Sequence, residues 1–128
     1  MDTLVSLPSD LSLYIHIPFC IKKCDYCPFF SKANQSSATI DLFFVSLIKE
    51  LKQIVERQEA PFETVFIGGG NPGLLGSDKL AQIAHLVTKK GEVKEFTIEM
   101  NPESLTDDMD IIFSSGVNRL SIGIQTLN

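Results

Sequence analysis

The sequence predicts an α/β fold in which the strands of a parallel sheet alternate with helices. Two observations support this prediction. Short apolar runs alternate with amphipathic segments along the 128 residues, and each run leads into a segment rich in cysteine, glycine or polar side chains. Such alternation favours right-handed crossovers, which occur both in doubly wound sheets and in (β/α) barrels. The length limits the chain to one domain.

Four apolar runs predict strands and three periodic segments predict helices. The strands are expected at 11–17, 64–67, 95–98 and 119–124. The helices are expected at about 39–58, at 77–91 with Ser77 as N-cap, and from Ser104 or Thr106 to Gly116. The polar stretch 32–38 predicts a flexible loop. If the fold is a barrel, which needs about 250 residues, residues 1–128 would form its first half, a truncated core domain. A terminal parallel strand could alternatively close a small flavodoxin-like sheet.

Charge and hydropathy exclude several functional classes. Sixteen acidic against eleven basic side chains give a net charge of −5, whereas a nucleic-acid partner requires a basic surface. The apolar runs are too short for a transmembrane segment. The N-terminus lacks the basic start of a secretory signal, because no Lys or Arg precedes Lys22. We therefore expect a soluble, cytoplasmic protein.

The cysteines give the strongest local signal. Cys20, Cys24 and Cys27 lie within eight residues, and they are the three cysteines of the chain. Disulfide frameworks use even numbers of dispersed cysteines, so this cluster favours a metal site, either zinc or an iron–sulfur cluster with one open iron position. His16 would complete a Cys₃His zinc site. Its place on a strand instead favours an orientation into the barrel or ordinary packing.

The other special segments also lie where predicted strands end. Gly68-Gly69-Gly70 allows close backbone approach, which suits an amino-acid moiety, although a plain turn would use the same residues. Glu99 follows the third strand and is expected to reach into the site; alternatively it is a solvated acid. Gln125 at the end of the fourth strand suggests a hydrogen-bonding role or a polar chain end. Because parallel strands place their carboxyl ends at one edge, these segments should converge.

The motif C-x-x-x-C-x-x-C at 20–27, preceded by Tyr14 to Phe19 and followed by Gly68-Gly69-Gly70-Asn71-Pro72, resembles radical S-adenosylmethionine (SAM) enzymes. The resemblance is closest to the group that holds oxygen-independent coproporphyrinogen III oxidase and the radical-SAM heme chaperone. It extends from Leu13 to Thr126 and includes the run Asn118 to Gln125. It implies the N-terminal half of a partial (β/α) radical-SAM barrel.

The resemblance also implies the cofactors and their ligands. Cys20, Cys24 and Cys27 would hold a [4Fe–4S] cluster, with SAM bound to the fourth iron. In the family, an electron from this cluster cleaves SAM to methionine and a 5′-deoxyadenosyl radical. The residues implied to bind SAM are Tyr14 near the sulfonium, Tyr26 beside the adenine, Gly69 and Gly70 at the methionyl part, Asn71 after the glycines, and Glu99 and Gln125 at the remaining methionyl and ribose groups. Asn71 and Gly73 stand where the family usually has Thr and Ser.

The resemblance implies a role in porphyrin or heme metabolism, with flavodoxin or ferredoxin as electron donor. Phe29 stands where the oxidase branch carries a further Cys, and the first strand begins near Leu11 without a long extension. Both features favour the heme-chaperone branch, which implies heme as a ligand. The alternatives are a genuine decarboxylating oxidase and a zinc-binding or structural fragment. Because later barrel strands supply further contacts, we expect cluster binding to survive better than turnover.

Overall fold

The computed structural model describes residues 10–20, 32–33, 37–105 and 108–123. The strands are β1 (Leu13–Ile17), β2 (Phe19–Cys20), β3 (Lys32–Ala33), β4 (Thr64–Gly69), β5 (Glu95–Met100) and β6 (Arg119–Ile122) in these ranges. The helices there are α1 (Ser37–Glu56), α2 (Ser77–Val87) and α3 (Met109–Ser114), with 3₁₀ turns at Pro72–Leu75 and Pro102–Ser104.

The main sheet is parallel, and its strand order follows the chain. Within the described ranges it contains β1, β4, β5 and β6 side by side, while β2 and β3 form a separate two-residue ladder. A doubly wound sheet would reverse its order near the middle, so this order agrees with a barrel-like progression. Right-handed crossovers in one direction place successive helices on the same face of the sheet. The predicted parallel α/β architecture is confirmed.

One face of the sheet forms the core with the helices. Side chains alternate along each strand, and the inward set is almost completely buried, including Ile17, Ile67 and Ile98. These side chains belong to one apolar cluster with Leu51 of α1 and Ile83 of α2. Burial of each such side chain stabilises the fold by about 1.5–3 kcal/mol, so this cluster holds the strand ends in place.

The opposite face carries polar and aromatic side chains. The strand register places Tyr14 beside Phe66, Phe66 beside Thr97, and Thr97 beside Arg119. Glu99 shares this face because it lies two residues after Thr97. We call this surface the open face, since Tyr14 remains 56% exposed on it. Function is therefore expected on this face and at its carboxyl edge.

Two strands run further than their apolar patterns indicated. Both β4 and β5 extend two residues beyond the predicted ends, and the extension of β4 includes Gly68 and Gly69 paired with His16 and Ile17. Glycine and glutamate have low strand propensity, so pairing with neighbouring strands overrides local preference here. Glu99 consequently lies inside β5 rather than beyond it. Conversely, β1 begins at Leu13, two residues later than predicted.

The predicted loop at 32–38 and the predicted helix starts also need correction. Lys32–Ala33 forms β3, and α1 already begins at Ser37. The N-cap of α2 is Gly76 rather than Ser77, because the preceding 3₁₀ turn closes with Gly76 N bonded to Gly73 O at 3.1 Å.

The ends of the later helices differ from the predictions as well. α2 ends at Val87, before the turn that leads to Gly91. Ser104 belongs to its own 3₁₀ turn, which Pro102 begins, and α3 starts at Met109. No helix in the described ranges is both long and apolar enough to cross a membrane.

Candidate functional site

The candidate site lies at the carboxyl edge of the main sheet, where β1, β4 and β5 end. Residue pairing continues to Ile17 against Gly69, so the glycine segment lies directly beside the end of β1. The chain continues from β1 into β2, which contains the backbone of Cys20. The sheet therefore brings the glycine segment, Glu99 and the start of the cysteine segment to one edge, as the sequence predicted.

Glu99 joins β5 to the glycine segment. Its Oε1 accepts a hydrogen bond from the backbone N–H of Gly69 at 3.1 Å. The same oxygen occupies the space that a Cβ at Gly68 would need, and the Tyr14 hydroxyl would lie 3.2 Å from that Cβ. The absence of a side chain at Gly68 thus allows a carboxylate and a phenol to meet above the sheet.

Tyr14 is held on the open face by two aromatic or polar neighbours. Its ring stacks on Phe66 with a centroid distance of 5.9 Å and an interplanar angle of 20°. Its hydroxyl forms a hydrogen bond with His16 Nδ1 at 3.0 Å. Partial burial raises the pKa of Tyr14, and the nearby Glu99 carboxylate raises it further. The phenol therefore keeps its proton and can donate a hydrogen bond over the neutral pH range.

We predict that Glu99→Gln lowers the pKa of Tyr14, because the substitution removes the carboxylate that disfavours phenolate. The measurement is the pH dependence of tyrosinate absorbance in a Tyr26→Phe background, which leaves Tyr14 as the single tyrosine. The folded state holds this proton more tightly than the unfolded chain. Its stabilising contribution is therefore present below the unfolded pKa and is lost as the pH rises through the folded value.

Glu95→Gln is the matched control for this titration. Glu95 lies on the same strand and face, but its carboxylate pairs with Arg119 at 2.6 Å at the other end of β5. The Tyr14 titration should remain unchanged in this variant. Equal titration curves for Glu99→Gln and wild type would show that Glu99 does not influence Tyr14.

The backbone after β4 is fixed to the neighbouring strands. Gly70 N donates to Ile17 O at 2.8 Å, and Asn71 N donates to Phe19 O at 2.6 Å. Gly69 has φ of +117°, and its missing Cβ leaves room for the backbone oxygen of Ile17. The Gly69–Gly70 peptide is thereby held in one position, and neither glycine adds a side chain to it.

Asn71 lies just behind this edge. Its side chain is completely buried and contacts Ser104 and the backbone of Gly73, with Nδ2 donating to Ser104 Oγ at 3.0 Å. The predicted cofactor-binding role of Asn71 remains a prediction. In the structure its side chain forms hydrogen bonds within the protein, to Ser104 and Gly73.

Comparison with known families agrees with this arrangement. The family described as the radical SAM superfamily matches residues 14–128. The chain belongs to the radical SAM superfamily. The sequence resemblance that predicted this membership is confirmed.

Individual radical SAM relatives share most of the chain. The heme chaperone HemW of Buchnera aphidicola subsp. Schizaphis graminum is 42% identical, and the match covers 92% of this chain and 33% of that protein. HemW of Escherichia coli is 36% identical, with 98% and 34% covered. The structure of coproporphyrinogen III oxidase (HemN) from Escherichia coli superposes with a TM-score of 0.81 and 28% identity, covering 94% of this chain and 29% of that one. The chain thus spans about a third of the length of these relatives.

Membership in the radical SAM superfamily implies a [4Fe–4S] cluster and SAM in general, and the described residues suit them. The Gly69–Gly70 peptide gives a bound molecule close access to the backbone, and Glu99 supplies a half-buried carboxylate at the same edge. Both groups match the charged and polar amino-acid end of SAM. The thiols of the cysteine segment are the soft ligands that iron–sulfur clusters use.

Several predicted site residues cannot be placed. Cys24, Tyr26, Cys27 and Gln125 lie outside the described residues, and only the backbone of Cys20 belongs to them. Among the described side chains, no group of three or more His, Cys, Asp or Glu could hold a metal ion. The three-cysteine ligand set therefore remains a prediction from the sequence.

Two site residues were missed by the sequence analysis. Phe66 supports the Tyr14 ring, and period-two alternation in β4 could have placed it on the face of Gly68. Ser104 was interpreted as a possible helix start, so its contact with Asn71 was not anticipated. Its position depends on the fold of two separate turns, for which the local sequence gives no signal.

Proposed function

We propose that this chain forms the first strands and helices of the radical SAM barrel of a heme chaperone. The observation that carries the proposal is the identity of 36–42% to proteins named heme chaperone HemW over more than nine-tenths of the chain. In this proposal Cys20, Cys24 and Cys27 hold the [4Fe–4S] cluster. The SAM-binding set is Tyr14, Tyr26, Gly69, Gly70, Asn71, Glu99 and Gln125.

The geometry of the carboxyl edge supports the SAM part of the proposal. When bound, the reduced cluster supplies the electron that cleaves SAM. The protein's own part is to position SAM. Gly69 and Gly70 leave the backbone accessible, and the Glu99 carboxylate accepts hydrogen bonds. Tyr14 is kept protonated beside Glu99, and its hydroxyl, which is hydrogen-bonded to His16 Nδ1 in the structure, has a proton to donate. The Glu99 carboxylate is thus a hydrogen-bond acceptor and the Tyr14 phenol a hydrogen-bond donor within one small region.

The heme part of the proposal depends on the relatives. It includes heme or a porphyrin as the ligand, a flavodoxin or ferredoxin as electron donor, and a cytoplasmic location. A second candidate function is decarboxylation of coproporphyrinogen III, and the structural match to HemN favours it. The sequence resemblance places a further Cys of the oxidase branch at position 29. This chain has Phe29 there, which favours the chaperone instead.

The two candidates differ in what the full-length protein does with its ligand. After anaerobic reconstitution, iron, acid-labile sulfide and zinc are measured, and hemin is then titrated while the Soret absorbance is followed. In parallel, the reduced protein is incubated with SAM and coproporphyrinogen III, and 5′-deoxyadenosine and vinyl products are quantified. We expect about four irons and four sulfides per chain, saturable hemin binding, and no vinyl product.

Each alternative outcome is distinct. Vinyl product in amounts that follow 5′-deoxyadenosine would replace the chaperone with the oxidase. A protein that keeps its cluster but shows no saturable hemin binding and no vinyl product would contradict both. Stoichiometric zinc without sulfide would establish the zinc-binding alternative and remove the radical SAM chemistry from this chain.

A further inference from the structure

Asn71 and Ser104 form a buried polar pair behind the glycine edge. Asn71 is 0% exposed, and its Oδ1 accepts from Gly73 N at 3.1 Å and from Ser104 Oγ at 3.3 Å. Its Nδ2 donates to Ser104 Oγ at 3.0 Å. Loss of one partner would leave a buried amide without its hydrogen bond, and an unpaired buried polar group is unfavourable. The pair is therefore strong enough to fix the segments that it joins.

These segments come from three parts of the site. Asn71 N is bonded to Phe19 O in β2, and the Asn71 side chain begins the 3₁₀ turn that follows β4. Ser104 closes the 3₁₀ turn that follows β5, the strand of Glu99. The Asn71–Ser104 contact and the Glu99–Gly69 contact thus join the ends of β4 and β5 at two points. Together they set the distance between the glycine edge and the carboxylate.

Gly73 is a glycine because Ser104 occupies the place of its side chain. A Cβ at residue 73 would lie 2.5 Å from Ser104 Cβ, 2.6 Å from Ser104 Oγ and 3.1 Å from Asn71 Oδ1. The φ angle of Gly73 is not among the positive values, so its backbone would accept other residues. The restriction to glycine at position 73 therefore comes from the Ser104 side chain. As a result, only one of positions 73 and 104 has room for a side chain.

We infer that Ser104 is a positioning residue, which acts through Asn71 to hold the Gly69–Gly70 edge in the geometry that receives SAM. The inference rests on the proposed SAM site at that edge, since Ser104 itself lies behind it. The serine hydroxyl can come from either position 73 or position 104, provided that the other residue is glycine.

The test is an exchange of the two residues in the reconstituted full-length protein, with the SAM dissociation constant as the main measurement. Gly73→Ser alone forces Ser104 away, and Ser104→Gly alone removes the partner of Asn71. We expect each to raise the dissociation constant about tenfold. The double variant Gly73→Ser/Ser104→Gly should return to within about twofold of wild type, because the Cβ that would carry the new hydroxyl lies 3.1 Å from Asn71 Oδ1.

The control variant is Ser114→Ala, whose exposed hydroxyl bonds only to Ile111 O of its own helix at 3.1 Å among the described residues. Its SAM affinity should equal that of wild type. If Gly73→Ser does not fold, Ser104→Ala, which adds no atom, gives the single-variant value. Cluster content is measured in every variant, because a general loss of structure would reduce iron and SAM binding together.

Amide hydrogen exchange at residues 69–71 without SAM separates this inference from the proposed function. We expect faster exchange in each single variant and wild-type exchange in the double variant. Wild-type exchange and SAM affinity in both single variants, or no recovery in the double variant, would overturn the positioning role. If wild-type protein with an intact cluster does not bind SAM, the proposed function fails, and the exchange pattern still decides whether Ser104 holds the edge.

Discussion

Cys24→Ser is expected to remove most of the iron and acid-labile sulfide from the reconstituted protein. A cluster held by three thiolates has no spare protein ligand, and a serine hydroxyl is a harder, weaker ligand for iron. We expect the content to fall from about four irons per chain to below about one. SAM binding should fall with it, because one iron of the cluster is the proposed anchor for SAM. The measurement is colorimetric iron and sulfide after anaerobic reconstitution.

His16→Gln is the informative companion to this variant, since the same cysteines would bind zinc in a Cys₃His site. His16 lies in β1 and its Nδ1 is engaged with the Tyr14 hydroxyl at 3.0 Å. For an iron–sulfur site we expect His16→Gln to keep its iron and sulfide. Unchanged iron in Cys24→Ser would contradict the ligand assignment, and loss of bound zinc in both variants would favour the Cys₃His site.

The parallel α/β alternation and the location of the site were predictable because both follow from short-range patterns, whereas the patterns left the strand order open between a doubly wound sheet and a barrel, and the family resemblance implied the barrel. Apolar alternation identified the strands, and the parallel topology then required that Gly69 and Glu99 meet at one edge. The exact ends of β4 and β5 were not predictable. Gly68 and Glu99 disfavour strands locally, and they stay extended because Gly68 pairs with His16 of β1 and Glu99 pairs with Ser121 of β6.

Contacts between separate turns were the least accessible from the sequence. Ser104 carries a favourable N-cap side chain, so local preference indicated a helix start, yet its hydroxyl bonds to Asn71 more than thirty residues earlier. The clash that makes residue 73 a glycine likewise involves a distant neighbour. Such relations depend on how two loops approach each other, which no periodicity along the chain encodes.

Gly69→Ala is expected to destabilise the protein by about 2–4 kcal/mol, which is the second large effect. Two costs combine at this residue. Its φ of +117° is unfavourable for any residue with a Cβ, and the new Cβ would press against the backbone of Ile17, 2.9 Å from its nitrogen. Neither β1 nor β4 can move away without breaking the pairing of Ile17 with Gly69. The measurement is the free energy of unfolding from urea denaturation.

Two further glycines separate these costs. Gly76 has φ of +86°, and no atom of the described residues lies within 4 Å of the position that a Cβ would take, so Gly76→Ala has only the conformational cost, about 1–2 kcal/mol. Gly123 has no positive φ and, among the residues that the structure describes, no atom within 4 Å of a Cβ, so Gly123→Ala should change stability by less than about 1 kcal/mol. The loss should therefore decrease from Gly69 to Gly76 to Gly123. If Gly69→Ala is no less stable than Gly76→Ala, the close approach of β1 to the glycine edge does not constrain residue 69. The site would then tolerate a side chain where SAM is proposed to bind.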